Sequence, residues 1–307
     1  MKEYKIIEKK NLWFLLSILV IIAGFSTMFL RSLNSEPILN FGIDFKGGTS
    51  IIIKSEELNN THSASNNKEE LRSQFIEKLR NTLKENGLEK STIQISSELE
   101  VIIKTLQLKE DKSQNLLDAL RNEHGNIEVL EIDFIGPTIG KELTEKSSLI
   151  IIFIVIFLLI YISWRFEWKY GVSAIAALVH DGLVTISLSA LLNIEINTAF
   201  VAALLTILGY SINDTIVIFD RIRENQIKWH DQEELSFPSL TNISLTQTLY
   251  RTINTSTTTL LVISSLIIFG GPTITGFCYV LLIGVLSGTY SSLFIASPLV
   301  VLLNKTK

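Results

Sequence analysis

Asp214 lies inside a long apolar run of the sequence, where a carboxyl group is unusual. The run extends from Thr198 to Phe219 and is long enough to cross a bilayer as a helix. A carboxylate near the middle of a span costs roughly 2.5–3.5 kcal/mol on insertion scales, so it is rarely present without a partner or a function. Arg251 opens a later apolar run. An acid inside the membrane with a basic neighbour is the simplest physical device for coupling proton movement to a change of shape.

The depth of Asp214 separates a functional role from a peripheral one. Asp214 precedes the end of the run at Phe219 by about 8 Å, because each helical residue rises 1.5 Å. A short aspartate side chain cannot reach the interface as lysine and arginine side chains do. The alternative interpretation is a carboxylate at the interface of a span whose end is misplaced. Burial disfavours the charged form of a carboxyl group and a nearby cation favours it, which suits reversible proton binding.

Arg251 has two interpretations. A basic residue at the start of a helix is commonly a topology signal whose side chain extends to the interface. Thr255, Thr258 and Thr259 follow Arg251 at helical spacing, however. They would form a polar stripe with Arg251 that faces Tyr210 and Asp214. Threonine-rich helices also form ordinary helix contacts. We therefore treat Tyr210 and Thr255 only as candidate secondary relay residues.

A second polar pair, His180 and Asp181, lies inside another apolar run. The pair is about nine residues from the end of that run and needs shelter from lipid. It is either a second relay element or a structural pair that forms hydrogen bonds between helices.

Composition excludes several classes of function. The chain has 307 residues, is 47% hydrophobic and carries a formal net charge of -4, which does not indicate a nucleic-acid partner. Its single cysteine, Cys278, permits no internal disulfide. Four scattered histidines do not indicate a metal centre, and we find no catalytic Ser–His–Asp set. The sequence therefore predicts neither a cofactor nor a bond-making enzyme.

Long apolar runs predict six transmembrane helices. The first, Leu12–Leu30, follows a basic start, and it lacks the small-residue cleavage site of the alternative, a signal peptide. The other five are Ser147–Trp164, Gly171–Leu192, Thr198–Phe219, Thr252–Phe269 and Gly276–Leu303. The last run is long and could be tilted, or bent at Gly284, Gly288 or Pro298. The predicted domains are residues 1–11, 12–30, 31–146, 147–303 with a polar loop at 220–250, and 304–307.

The distribution of lysine and arginine predicts the orientation. The short segments on the side of the two termini carry basic residues, whereas the loops near Asn193–Asn197 and Gly270–Thr275 carry none. Basic loops remain in the cytoplasm, so both termini are predicted to be cytoplasmic. Residues 31–146 are then extracytoplasmic. The segment Arg221–Tyr250 is predicted to be a polar cytoplasmic connection in which Pro238 breaks a helix.

The periodicity of residues 31–146 predicts the element order β-α-β-β-α-β. The predicted elements are Thr49–Lys54, Lys68–Asn86, Thr92–Ser97, Glu100–Leu108, Asp111–His124 and Asn126–Phe134. This order is typical of a ferredoxin-like α+β domain. Its core is predicted to contain Phe75, Leu79, Ile93, Ile95 and Leu120. Ser55–Asn67 is predicted to be a loop.

Two glycine-containing segments flank this block. Gly42–Thr49 lacks the patterns of nucleotide-binding loops and is predicted to be a tight turn that leads into a strand. Gly136, Pro137 and Gly140 lie between the last strand and the second span. They are either a hinge or a simple connector.

Four stretches together resemble one family. They are Phe41–Thr49, Ile135–Leu143, Gly209–Asn225, and Arg251–Ser256 with Gly288–Ser292. They are similar to SecF, the smaller membrane subunit of the bacterial SecD–SecF protein-export complex, over nearly the whole of Leu12–Leu303. The resemblance implies an α-helical polytopic membrane protein of the proton-driven RND class. Residue-for-residue matching places Asp214 and Arg251 at the family's functional acid and arginine, as the proton relay.

The resemblance also implies partners, location and function. The implied partners are SecD, the SecYEG channel with SecA as its motor, unfolded preproteins and membrane lipid, with YidC and YajC as further candidates. The implied location is the bacterial plasma (inner) membrane. The implied function is the use of the proton motive force to draw a preprotein out of the channel. Two alternatives stay open: half of an RND-type small-molecule proton antiporter, and a passive scaffold subunit of the translocon.

Overall fold

The structure is a computed structural model that describes residues 4–55, 68–95, 100–105, 108, 110–229 and 236–304. The chain divides into two compact units. The helical unit comprises Met1–Asn40, Ser148–Gly270 and Ile274–Lys307. The α+β unit comprises Phe41–Ser147 and Gly271–Thr273.

The elements of the described residues begin with a 3-10 turn, Ile7–Lys9. They continue in chain order as α1 (Lys10–Leu33), α2 (Ile43–Lys46), β1 (Gly48–Ser55), α3 (Lys68–Glu85), β2 (Thr92–Ile95), β3 (Glu100–Thr105), α4 (Glu110–His124), β4 (Ile127–Ile135), α5 (Pro137–Arg165), α6 (Trp168–Leu191), α7 (Thr198–Lys228), α8 (Phe237–Phe269), α9 (Pro272–Ser291), a π-helical turn (Ser292–Ala296) and α10 (Ser297–Asn304). Within these residues six helical segments are long and apolar enough to cross a membrane, which confirms the predicted number.

The six spans divide into central and peripheral helices. At least half of the most apolar stretch is buried in α6, in α7 and in the sixth span, which α9 and α10 form together. Only 6% of that stretch is buried in α5, 11% in the first span and 17% in α8. The central helices contain many small and hydroxyl side chains, which allow close packing inside a bilayer. The peripheral helices expose bulky apolar side chains such as Phe153, Phe157 and Phe269.

The ends of α7 and α8 differ from the prediction. Helix α7 continues to Lys228, and α8 begins at Phe237, so most of the predicted polar loop is helical. The polar end of α7 is stabilised by Glu224, which accepts hydrogen bonds from Arg221 at 2.6 Å and Lys228 at 2.8 Å. The prediction that Pro238 breaks a helix was wrong. Pro238 lies in the first turn of α8, where a missing N–H costs nothing.

Two other spans are also longer than hydropathy indicated. Helix α1 continues to Leu33, and α5 begins at Pro137, directly after β4.

The sixth span is interrupted by the π-helical turn Ser292–Ala296, just before Pro298. Because proline has no N–H, the carbonyl group four residues earlier loses its usual partner. The hydroxyl group of Ser297 donates to the carbonyl oxygen of Ser292 at 2.9 Å in this turn.

The α+β unit contains a four-stranded antiparallel sheet with the strand order β2-β3-β1-β4. The predicted order of strands and helices is found among the described residues. Strand β3 is described as Glu100–Thr105, and residues 106–107 of its predicted range lie outside the described residues. Strand β2 is described only to Ile95, because residues 96–99 lie outside the described residues, as do residues 56–67 of the predicted loop. The five predicted core residues are confirmed. Phe75, Leu79 and Leu120 are buried in one cluster, and Ile93 and Ile95 pack against it.

The segment before β1 is a helical turn rather than the tight turn we predicted. Helix α2 ends at Lys46 and is capped by Gly47, whose φ of 74° suits glycine, and Gly48 follows with a φ of 146°. Gly140 of α5 lies against this turn. A Cβ atom on Gly140 would lie 3.1 Å from the amide nitrogen of Gly47 and 3.2 Å from the carbonyl oxygen of Phe45. The two glycine segments therefore pack backbone to backbone, and a side chain at Gly140 would separate them.

Candidate functional site

Asp214 lies in the buried face of α7. Its side chain is only 5% exposed, and its Oδ2 atom is buried without a hydrogen-bond partner. A buried carboxyl oxygen that lacks a donor is costly when it is charged. The neighbouring Thr215 is satisfied, because its hydroxyl group donates to the carbonyl oxygen of Ser211 at 3.2 Å. Asp214 is therefore the polar group on this turn that has capacity left to bind a proton.

Arg251 lies on α8, which packs against α7. Its charge acts electrostatically on Asp214. The two side chains do not form an ion pair within 4.0 Å, and Arg251 is exposed. The predicted approach of the two groups in at least one state stays a prediction. The structure brings their helices together and leaves the guanidinium group free to move.

The threonine stripe of α8 contacts α7 at one position. The hydroxyl group of Thr259 lies 3.4 Å from the hydroxyl group of Tyr210. Thr255 is exposed, and its hydroxyl group donates to the carbonyl oxygens of Arg251 and Thr252 within its own helix, at 3.0 Å each. Of the two candidate secondary relay residues in this region, only Tyr210 takes part in a contact between helices.

Asp181 is the centre of a hydrogen-bond network inside the helical unit. Its side chain is fully buried, at 0% exposure. The Oδ2 atom accepts hydrogen bonds from Ser211 at 2.5 Å and Ser291 at 2.7 Å. The Oδ1 atom accepts from Ser287 at 2.6 Å and lies 3.1 Å from Nδ1 of His180. One carboxyl group thus joins α6, α7 and α9. We call Asp181 and these four partners the Asp181 cluster.

His180 extends this cluster to the first span. Its Nε2 atom lies 2.9 Å from the hydroxyl oxygen of Ser17 on α1. The imidazole ring stacks on Tyr290, with ring centroids 6.0 Å apart. The hydroxyl group of Tyr290 donates to the carbonyl oxygen of Trp13 at 2.7 Å. The His180–Asp181 pair therefore makes contacts between helices, as either of its predicted interpretations requires.

A second set of hydroxyl groups lies beside Asp214. The hydroxyl oxygens of Thr215 and Ser292 are 2.8 Å apart, and Ser292 also approaches the carbonyl oxygen of Ser211 at 3.4 Å. Ser291 and Ser292 are consecutive, yet one contacts α6 and the other contacts α7. The π-helical turn begins at Ser292. Such turns occur frequently at functional sites.

Small residues allow the sixth span to approach α7 closely. A Cβ atom on Gly288 would lie 2.9 Å from Cβ of Ser211. A Cβ atom on Gly284 would lie 2.1 Å from Cδ1 of Ile207. The spacing of Gly284 and Gly288 is the pattern by which transmembrane helices bring their backbones together.

Sequence reasoning did not identify the serines of the Asp181 cluster. Ser287 and Ser291 are one helical turn apart, and they share a face with Gly284 and Gly288. That stripe of small and hydroxyl residues was the available signal.

The charged residues at the end of α7 do not belong to the Asp181 cluster. Asp220 accepts two hydrogen bonds from Arg165, at 3.0 and 3.2 Å, and both side chains are substantially exposed.

Comparison with protein families gives two matches. Residues 115–306 match the family described as protein export membrane protein SecD/SecF, C-terminal. Residues 39–57, which include α2 and all of β1, match the SecD/SecF GG motif. The two matches cover α6 to α10 and the glycine segment that packs against Gly140, whereas Ser17 of α1 lies outside both.

Whole-chain relatives extend these matches. The chain is 36% identical to protein translocase subunit SecF of Sebaldella termitidis, over 99% of this chain and 93% of the relative. It is 39% identical to SecF of Desulfurispirillum indicum, over 86% of this chain and 82% of the relative. Its fold is similar to the crystal structure of SecDF, a translocon-associated membrane protein from Thermus thermophilus, with a TM-score of 0.83 and 31% identity.

That match covers 99% of this chain and 39% of the SecDF chain. A second SecDF structure, in a super-membrane-facing form, gives a TM-score of 0.62 at 30% identity over the same shares. The chain spans well under half of SecDF but nearly all of the Sebaldella relative. The chain therefore belongs to the SecD/SecF family of protein export membrane proteins, and its full-length relatives are SecF subunits of the protein translocase.

Proposed function

We propose that this chain is a SecF subunit that pairs with SecD and uses the proton motive force to promote protein translocation through the SecYEG channel. The observation that supports proton coupling most strongly is Asp214, a carboxyl group buried in a span with one oxygen that no donor satisfies. We assign proton binding to Asp214 and the adjustment of its charge state to Arg251. Export of unfolded preproteins, rather than small-molecule antiport, follows from the translocase relatives.

One proton provides enough energy to bias a conformational equilibrium. Movement of one charge across the membrane yields about 2.3 kcal/mol per 100 mV, which corresponds to a population ratio of roughly 50. A protonated Asp214 tolerates its buried position, whereas the ionised form needs a cation or a donor. Arg251 is exposed and unpaired with Asp214, so its side chain is free to approach when the proton leaves. Alternation between these two states would move α8 relative to α7.

The relatives and the exposed surfaces support the proposed partners to different extents. The structural similarity to SecDF supports SecD as the direct partner. The bulky apolar side chains of α5 and α8 are exposed, so lipid or a second membrane subunit must cover them in the membrane. We assign one of these two faces to SecD. SecA is the motor of the same export machinery, and YidC and YajC are further candidate partners.

We also propose that the α+β unit is extracytoplasmic and ferredoxin-like, in the plasma membrane of a bacterium, with both termini cytoplasmic. The strand order β2-β3-β1-β4, with two helices inserted in the order β-α-β-β-α-β, supports the ferredoxin-like assignment. The distribution of lysine and arginine in the short loops supports the orientation. The unit would act as a lever or as a contact surface for emerging chains.

The test is Asp214→Asn in inverted vesicles that contain SecD and the channel. This change keeps the size of the side chain and removes its titration. We expect the variant to insert, to bind SecD and to support the basal export that SecA drives. Export should no longer accelerate when a proton gradient is imposed.

Asp220→Asn is the matched control, because Asp220 lies on the same helix in an exposed ion pair with Arg165. It should keep the response to the gradient. A wild-type response in Asp214→Asn vesicles would exclude Asp214 as the essential carrier and favour the passive scaffold. Loss of both basal and stimulated export would indicate misassembly, which co-purification of SecD would detect.

A further inference from the structure

The Asp181 cluster uses the full acceptor capacity of one carboxylate. An ionised carboxyl group offers about four lone-pair positions. The cluster supplies three hydroxyl donors, from Ser211, Ser287 and Ser291, and the Nδ1 atom of His180 as a fourth contact. Each donor hydroxyl belongs to a helix other than α6, which carries Asp181. The charge on this group therefore decides how α7 and α9 bond to α6.

The distances within the cluster indicate hydrogen bonds. The three hydroxyl oxygens lie 2.5–2.7 Å from the carboxyl oxygens. These separations match O–H···O⁻ bonds, so a hydrogen atom lies between each pair of oxygens. The ligand that can enter this arrangement with the least movement is a proton.

Protonation of Asp181 would leave the cluster with one donor too many. A proton on Oδ2 turns that oxygen from an acceptor of two bonds into a donor group. One of its two serine hydroxyls must then find another acceptor. Ser291 already has one, because its hydroxyl oxygen lies 3.2 Å from the carbonyl oxygen of Gly288, one turn earlier in α9. The carboxylic acid O–H can in turn donate to the oxygen of Ser211, which leaves Ser291 with the carbonyl oxygen of Gly288.

We propose that Asp181 is a second proton-binding site, and that the sixth span responds to its charge state through the hydroxyl group of Ser291. This inference rests on the proposed function, because it assumes that protons move through the helical unit. When Asp181 is ionised, Ser291 ties α9 to α6. When Asp181 is protonated, Ser291 bonds within its own helix and that tie is released.

The segment after Ser291 suits a response of this kind. The π-helical turn begins at the next residue, and Ser292 contacts Thr215 and the carbonyl oxygen of Ser211 on α7. A π-helical turn is an interruption of the regular helix rather than a rigid continuation. Loss of the bond between Ser291 and Asp181 therefore acts beside the irregular part of the sixth span. This part contacts Ser211, which lies one turn of α7 before Asp214.

The charged and titratable groups near Asp181 do not fix its charge. His180 contacts it from α6, and the ring of Tyr290 on α9 stacks on the far face of that imidazole. Asp214 lies on α7, three residues after Ser211, and α1 contributes the hydroxyl group of Ser17 behind His180. No lysine or arginine in the described part of the chain forms an ion pair with Asp181. Its ionised form is therefore stabilised mainly by hydroxyl dipoles and the imidazole.

The test is infrared difference spectroscopy of the complex with SecD, reconstituted in lipid and titrated from alkaline to acidic pH. A protonated carboxyl group in an apolar site gives a carbonyl stretching band that ionised carboxylates lack. We expect such a band to develop on acidification, to be lost in Asp181→Asn and to remain in Asp214→Asn. If every carbonyl band of the wild-type protein persists in Asp181→Asn, the proposal is overturned.

Ser291→Ala gives a second readout while Asp181 is intact. Removal of one donor from the ionised form should shift the carboxylate stretching bands that Asp181 contributes at alkaline pH. Ser173→Ala is the matched control, because Ser173 is equally buried and its hydroxyl group donates to the carbonyl oxygen of Lys169 in its own helix. Unchanged carboxylate bands in Ser291→Ala would refute the role of Ser291.

The result can fail independently of the proposed function. Gradient-stimulated export that depends on Asp214, together with no Asp181 band, would refute only this inference. An Asp181 band together with wild-type stimulation in Asp214→Asn would refute the role of Asp214 and leave Asp181 as the proton-binding group. If Asp181→Asn fails to assemble, the carboxylate bands in Ser291→Ala still decide the matter.

Discussion

The contact between Gly284 and Ile207 provides the sharpest test of how the sixth span packs on α7. A Cβ atom on Gly284 would lie 2.1, 2.2 and 2.6 Å from three side-chain carbons of Ile207. Carbon atoms in contact are normally 3.5–4.0 Å apart, so the overlap is about 1.5 Å. Ile207 is only 1% exposed and cannot move aside without displacing its neighbours. Gly284→Ala should therefore destabilise the protein by about 1–3 kcal/mol.

The double variant separates a steric clash from a general effect of alanine. Ile207→Ala removes all three overlapping carbons and alone should cost about 2–5 kcal/mol, because it leaves a cavity. A methyl group at position 284 fills part of that cavity. The double variant should therefore be less destabilised than the sum of the single variants by about 1–3 kcal/mol. The measurement is the unfolding free energy of the purified protein in mixed micelles.

Gly276→Ala is the matched control. It lies on the same helix, and a Cβ atom there would meet nothing within 4 Å. Alanine favours helix over glycine, so this variant should be neutral or more stable by up to about 1 kcal/mol. Additive effects of Gly284→Ala and Ile207→Ala would show that the two side chains do not meet, and the close approach of these helices would then be incorrect.

Three further predictions concern other regions. Burial lowers the pKa of Lys104 from 10.5 to about 8, and Asp44 partly opposes this shift. Between these two pH values the unfolded chain holds the proton that the folded chain has lost, so the stability of the folded state should rise with pH. Thermal unfolding of Lys104→Met should lack this rise. Asn242 accepts hydrogen bonds from the amides of Ile6–Ile7, so Asn242→Ala should accelerate their hydrogen exchange by roughly tenfold or more, and unchanged rates would contradict the contact. Glu89→Cys should react with an impermeant thiol reagent from outside the plasma membrane; reaction only after that membrane is opened would reverse the orientation.

The strands and the number of spans were predictable because each has a simple periodic signal. The sequence pattern identified β1 to within one residue at each end and the start of β2 at Thr92, and hydropathy located all six spans. The helix ends were less predictable, because hydropathy indicates which residues lie in the membrane but not where the backbone hydrogen bonds of the helix end. Helix α7 continues past the apolar run to Lys228 through polar residues. Proline is as compatible with the first turn of a helix as with a break, and Pro238 lies in the first turn of α8.

The candidate site was predictable only where it carries charge. Asp214, His180 and Asp181 are unusual within apolar runs, and the structure buries all three. Serine is common in transmembrane helices, so residue type alone did not distinguish the serines of the Asp181 cluster, and only their spacing with Gly284 and Gly288 marked them. Ser291 is 110 residues from Asp181 along the chain, and only the packing of three helices brings the two together.

That separation along the chain has a consequence for biosynthesis. At 5–20 residues per second, the ribosome completes Ser291 roughly 5–20 s after Asp181. During this interval the third span has left the ribosome, but two of the donors to Asp181 do not yet exist. A carboxylate without donors is costly in lipid, so Asp181 is expected to enter the membrane protonated or to remain sheltered at the insertion site. The first, third, fourth and sixth spans therefore assemble around Asp181 only after synthesis of the chain is almost complete.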